Sequence, residues 1–217
     1  RLDAKESYIR GLLLTAPDQK RKWFEQAAKL DPQYAQAAFE LGRLSSAQKD
    51  YGQAAEWFGK IPETDPLYLE ARFRMGLNAY LAGKYETAET CFRELSKTVP
   101  LNEVYNNLGA AEGQLGKSGG LEDLRRASEG DETDAIYHFN MAVLLYRAGN
   151  YEQAIIHLNS VLDKNPDDKE ARSLLVRSQQ RTPASNVAGN KTDGVIRLKQ
   201  NFELRAFRQL KSLFQPS

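Results

Sequence analysis

Residues 69–100 read LEARFRMGLNAYLAGKYETAETCFRELSKTVP, and the chain returns to this wording before and after it. Leu41-Gly42, Met75-Gly76, Leu108-Gly109 and Met141-Ala142 fall in one column, spaced 34, 33 and 33 residues apart. Ala54, Ala88 and Ala154 form a second column, Phe58, Phe92 and Leu158 a third, and Pro66, Pro100 and Pro166 a fourth. A period of this length marks a tandem array in which each unit buries its apolar face only against its neighbours.

Each column has a physical reason. The Gly or Ala of the first column lets a second helix approach the first closely, and Ala54, Ala88 and Ala154 are the small residues that meet it. Phe58, Phe92 and Leu158 fill the space between units. The prolines follow a helix and open the next, where a missing N–H costs little. Lys49-Asp50-Tyr51, Gly83-Lys84-Tyr85 and Gly149-Asn150-Tyr151 read as short polar turns between paired helices. Helix formers are plentiful and strand signals absent, which predicts an all-α chain.

The columns resemble the tetratricopeptide repeat family, whose pattern is a Leu-Gly pair, an Ala, a Phe and a closing Pro. The resemblance covers about residues 1–176. It implies a right-handed superhelical solenoid of antiparallel helix pairs, with a concave groove for a peptide or a partner's helix. Repeats are expected near 1–34, 35–68, 69–101, 102–134 and 135–168. The first carries Tyr8 where Gly belongs and Pro17 in its turn. In the fourth, Gly116-Lys117-Ser118-Gly119-Gly120-Leu121 predicts a looser turn, a bend in the array, and a short second helix over about 121–128.

Beyond the repeats, residues 169–180 are expected to form a capping helix, since solenoid ends must be covered. Residues 181–194 read as linker. From Val195 to Phe214 the apolar residues recur at helical spacing with Arg and Lys at the border, predicting an amphipathic basic helix over 195–217 in which only Leu204 is out of place. The formal charge of +1 conceals an asymmetry. Residues 1–176 hold 22 Lys and Arg against 27 Asp and Glu, whereas residues 177–217 hold 8 against 2. Three roles are open to the basic helix: folding back onto the array, docking on an acidic partner or anionic membrane, or meeting nucleic acid. The first is favoured, because large exposed apolar patches are rare. The last is disfavoured, because the array is acidic and has no basic stripe.

In the family the first helix of each pair lines the groove. Carried over residue by residue, that face implies Phe39 and Arg43 with Gln36 and Glu40, then Phe73, Arg74, Leu77 and Tyr80 with Glu70. It continues with Asn106 and Asn107 beside Glu103, then Phe139, Asn140 and Tyr146. Asn107 and Asn140 are equivalent, 33 residues apart. A carboxamide donates and accepts, so successive Asn residues can pair with the N–H and C=O of an extended peptide. The family's clamp for acidic chaperone tails is not matched: starting at the first repeat, its positions hold Lys5, Ile9, Glu40, Glu70 and Arg74, and two of these would repel a carboxylate.

Catalytic signals are thin. Ala111 to Ser118 mimics a phosphate-binding loop, but that motif needs a preceding strand, and here it closes a helix. His138 and His157 are expected to pack together, and Cys91 reads as core, so neither a metal nor a cofactor is expected. Asn190-Lys191-Thr192 is a glycosylation sequon that matters only in a secreted eukaryotic chain. The expectation is a non-catalytic scaffold for protein or peptide partners. The alternative is an accessory domain of a larger enzyme or membrane-associated protein, docked through the basic helix. Weak self-association is a third reading. The compartment is not readable: cytoplasmic, or periplasmic if a signal peptide has been removed.

Overall fold

The computed structural model describes residues 3–185 and 193–213, and among them all regular structure is helical. The chain divides into two compact units, Arg1–Leu95 and Ser96–Ser217. The sequon and Phe214 lie outside the described residues, as does the middle of the expected linker.

The first unit contains α1 (Ala4–Leu12), α2 (Pro17–Leu30), α3 (Ala35–Ala47), α4 (Tyr51–Gly59), α5 (Tyr68–Leu81) and most of α6 (Tyr85–Thr98). Asp3 caps α1 through the Glu6 N–H and Asp50 caps α4 through the Gln53 N–H, satisfying donors the helix leaves orphaned. At the centre of each pair a glycine faces a phenylalanine. A Cβ on Gly42 would lie 2.8 Å from the Phe58 ring, and one on Gly76 would lie 2.8 Å from Phe92. The first pair obeys the same rule in a shifted register. Phe24 meets Gly11, three residues beyond Tyr8, where a Cβ would stand 2.5 Å from the ring. Gly is therefore present in the first repeat, one helical turn later than its column places it, and Tyr8 packs on Phe24 and Tyr34 instead.

The second unit contains α7 (Asn102–Gln114), α8 (Gly119–Gly130), α9 (Ala135–Arg147), α10 (Tyr151–Lys164), α11 (Lys169–Gln179) and α12 (Leu204–Leu213). The turn after α7 is not loose. Gly116 has φ +67°, its N–H bonds the Gly113 carbonyl, and the Lys117 N–H bonds that of Glu112. The turn after α9 repeats the pattern through Gly149 (φ +76°) and Asn150. Both are Schellman closures, in which the left-handed residue favours Gly. Nor is α8 short, because Gly119 and Gly120 join it; a Cβ on Gly109 would lie 2.7 Å from the Gly120 carbonyl oxygen, so the two backbones nearly touch. Ala171 and Leu174 of α11 are buried, as a capping helix requires.

The carboxy-terminal helix is the main departure from expectation. Among the described residues of the expected helix only Leu204–Leu213 is helical; residues 195–203 form neither helix nor strand, and Arg197 and Lys199 pair from the same side, as alternate residues of an extended chain do. The extended stretch, rather than the helix, lies on the array, with Ile196 4% exposed. Leu204, out of place on a long helix, is the buried residue of the short one. Leu210 and Leu213 remain 57% and 78% exposed.

Candidate functional site: a groove filled by the chain's own tail

On α7 the spacing of Glu103, Asn106 and Asn107 puts three polar side chains on one helical face, and Phe139 and Asn140 hold equivalent places on α9. All five are buried beneath residues 193–204 of the same unit. The Asn140 carboxamide accepts the Arg197 N–H at 2.7 Å and donates to the Arg197 carbonyl at 2.7 Å. Asn107 does the same for Lys199, at 2.8 and 2.9 Å. Asn106 links the two rungs: it donates to the Asn107 side chain at 3.1 Å and the Arg197 carbonyl at 3.2 Å, and accepts from Asn140 at 2.8 Å. Two residues of tail thus correspond to one repeat of the array, running opposite to chain order.

Flanking contacts fix both ends of the segment. Arg147 donates to the Gly194 carbonyl at 2.6 Å, and the Val195 N–H bonds Glu170 at 2.7 Å. At the other end the Glu203 N–H bonds Glu103 at 2.8 Å. Gly194 has φ +82°, and a Cβ there would meet Val143 at 2.6 Å, so this position needs glycine twice over. Asp193 is buried against Arg177 and accepts the Ser185 N–H. Arg177 also donates to the Tyr146 hydroxyl at 3.0 Å.

Side chains of the tail meet acids and aromatic rings. The Arg197 guanidinium lies 3.5 Å from the Phe139 ring centroid and forks onto Asp168 at 2.7 and 3.0 Å, with Glu170 at 3.2 Å. The hydrogen bond from Arg197, aided by the backbone N–H of Ala171, outweighs burial and holds the Asp168 carboxyl below its ordinary value. Lys199 pairs with Asp134 and lies 5.1 Å from the Tyr137 ring centroid. Burial, then the acids nearby, pushes the Tyr137 phenol far up.

The residues expected to line a groove therefore divide. Asn106, Asn107, Phe139 and Asn140 surround the tail, and Tyr146 supports it through Arg177. Phe39 and Phe73, equivalents of Phe139, are buried edge-on against Phe58 and Phe92 in the seam of their own helix pairs. This corrects the expectation that they face a groove: each ring packs on the phenylalanine of the second helix, and that phenylalanine in turn meets the glycine. Leu77 is buried, Tyr80 packs on Tyr85, Arg43 pairs with Glu40, and Arg74 pairs with Glu70 while lying over Phe39. Sequence reasoning passed over Asp134, Asp168 and Glu170. A signal existed: Asp134 and Asp168 share a column 34 residues apart, and each caps the helix that follows.

The remaining chemistry is structural. His138 and His157 stand Nδ1 to Nδ1 at 3.0 Å, and His138 Nε2 lies 2.9 Å from the Glu132 carbonyl, which can only accept. His138 therefore donates from Nε2 and accepts from His157. Burial, then the neighbouring His138, holds His157 below the usual histidine value. Burial pushes the Cys91 thiol up to about 11, away from nucleophile chemistry. The N–H groups of Gly116 and Lys117 are spent on the Schellman turn rather than converging on a phosphate. Among the described residues no cluster of His, Cys, Asp or Glu fits a metal, and no helix is long and apolar enough to cross a membrane.

Tetratricopeptide repeat models match residues 21–68, 70–102 and 110–177. No curated protein sequence matches the chain. Among solved structures, YrrB, a TPR protein with an unusual peptide-binding site, is 18% identical with a TM-score of 0.70, covering 82% of this chain and 92% of that one. PilF of Pseudomonas aeruginosa is 21% identical with a TM-score of 0.62, covering 99% and 93%. MamA of Desulfovibrio magneticus RS-1 is 20% identical with a TM-score of 0.63, covering 76% and 96%. At these identities the likeness establishes the fold, and it is the fold the columns predict. With family models spanning three stretches of the array and helix pairs of matching register, the chain belongs to the tetratricopeptide repeat family.

Proposed function

We propose that this protein is a non-catalytic scaffold whose second unit binds an extended peptide segment across α7, α9 and α11. A protein-interaction role is general to the family; the groove is the finer reading. One observation carries it: Asn140 and Asn107 each bond both the N–H and the C=O of alternate tail residues. Such pairing reads peptide backbone, so it serves any extended segment whose side chains fit, including one from another protein.

The test needs an emptied groove in the full chain. An Ile196→Asp/Leu204→Asp variant forces charge into two buried sites and expels the tail without touching the array. A labelled peptide of residues 193–204 is then expected to bind in trans, and the same peptide N-methylated at Arg197 and Lys199 to bind at least about tenfold more weakly for two lost hydrogen bonds. Equal binding of the two peptides, or none by either, contradicts the reading.

The exposed Leu210 and Leu213 on basic α12 favour a second reading, in which this helix docks the chain on a partner or larger assembly. Leu210→Ser/Leu213→Ser would then abolish association while leaving peptide binding intact.

A further inference from the structure

We infer that the groove of the second unit is selective for a basic strand, an extended partner segment with an aliphatic residue followed by Arg and Lys at alternate positions. This rests on the groove reading above and adds the chemistry of the ligand. Carboxamide rungs alone are indifferent to side chains, but the walls beside them are not.

Two cation sites stand one repeat apart. The first is the face of Phe139 together with Asp168 and Glu170, where a planar guanidinium stacks on the ring and forks onto a carboxylate. That geometry suits Arg better than Lys, whose ammonium is a point charge. The second is Asp134 beside Tyr137, which takes the Lys199 ammonium. Asp134 and Asp168 are already ordered, because each caps a helix through a backbone N–H, at Ile136 and Ala171. The acids are thus held in place before any ligand arrives, which lowers the ordering cost of binding. Two residues of extended chain span about 6.6 Å, and this step carries both the backbone pairing and the cation pairing from one repeat to the next. The polarity is opposite to that of a clamp for acidic tails.

The chain's own Ile196-Arg197-Leu198-Lys199 fits the pattern and acts as a resident competitor. A tethered segment competes at an effective concentration on the order of millimolar, so a partner in trans meets a groove open only part of the time.

The experiment uses the full-length Ile196→Asp/Leu204→Asp chain and three labelled peptides of residues 193–204: the native sequence, an Arg197→Gln/Lys199→Gln version, and the native sequence reversed. The expectation is that the Gln and reversed peptides bind at least about tenfold more weakly than the native one, given two charge-assisted contacts. In the receptor, Asp134→Asn/Glu170→Gln keeps the Asp134 cap while removing one acid from each cation site, and should bring the native and Gln peptides closer together. If native and Gln peptides bind alike while the N-methylated peptide described above still binds more weakly, the basic-strand inference fails and the backbone groove stands. If the reversed peptide matches the native one, simple charge attraction explains the binding and the inference fails. If no peptide binds, both readings fall together.

Discussion

A carboxamide carries a donor and an acceptor at a spacing close to that of a peptide group, so Asn140 and Asn107 offer an extended chain what a neighbouring strand would. Both are fully buried, so truncation loses two hydrogen bonds and leaves backbone groups of the tail unpaired. Asn107→Ala or Asn140→Ala is expected to cost tail attachment about 2 kcal/mol, or about thirtyfold in the open fraction. Trypsin reads this directly, because its sites after Arg197 and Lys199 lie within the held segment. Cleavage there should accelerate about thirtyfold in each variant, with helix content unchanged by circular dichroism. An unaltered rate would show that the carboxamides do not hold the tail. Acid should release the tail too. The folded Asp168 value is depressed, so its contribution is present above the ordinary carboxyl pKa and is lost as pH falls through the lower folded one. As pH falls below about 4, amide resonances of residues 195–199 should move to unbound positions, and less so in an Arg197→Gln chain, where that link is already gone.

At the scale of elements, helix pairs close where glycine removes the obstacle of a Cβ. Gly109→Ala would drive a methyl group to 2.7 Å from the Gly120 backbone oxygen, which cannot rotate away as a side chain can. It should destabilise the chain by about 2 kcal/mol in urea unfolding. Gly52→Ala, with nothing within 4 Å of the new methyl, should stabilise by about 0.5 kcal/mol. Opposite signs for one substitution would separate packing from helix propensity. The helix pairs and the turns through Lys49, Gly83 and Gly149 were legible in the sequence because their causes are local, whereas the Gly-rich turn after α7 was read as loose and closes as the others do. The register of the first pair was not legible, since Gly11 lies one turn beyond its column and only its contact with Phe24 identifies it. Phe39 and Phe73 were misplaced for a related reason: a ring near the edge of a helix face turns toward whichever partner fills the seam. The extended tail was illegible as such. Val195, Ile196, Leu198 and Phe202 fit helical spacing, and the carboxamides that win their backbone away from a helix lie 57 and 92 residues upstream.

Across the whole molecule, charge and sequence are arranged so that the chain carries a basic segment fitted to its own acidic groove. Residues 177–217 hold 8 Lys and Arg against 2 Asp and Glu, and two of those cations, Arg197 and Lys199, meet acids that cap the helices of the second unit. On the function proposed above, the bound tail is a built-in occupant with which partner segments would compete. The most direct measurement is amide hydrogen exchange along residues 195–200 of the intact chain, resolved by NMR. In an extended strand successive N–H groups point to opposite sides, so a ladder on one side protects alternate residues. The account predicts slow exchange at Arg197 and Lys199, fast exchange at Leu198 and Gln200, and loss of the alternation in Asn107→Ala/Asn140→Ala. Uniformly fast exchange across the segment, or protection of consecutive amides as in a helix, would contradict it.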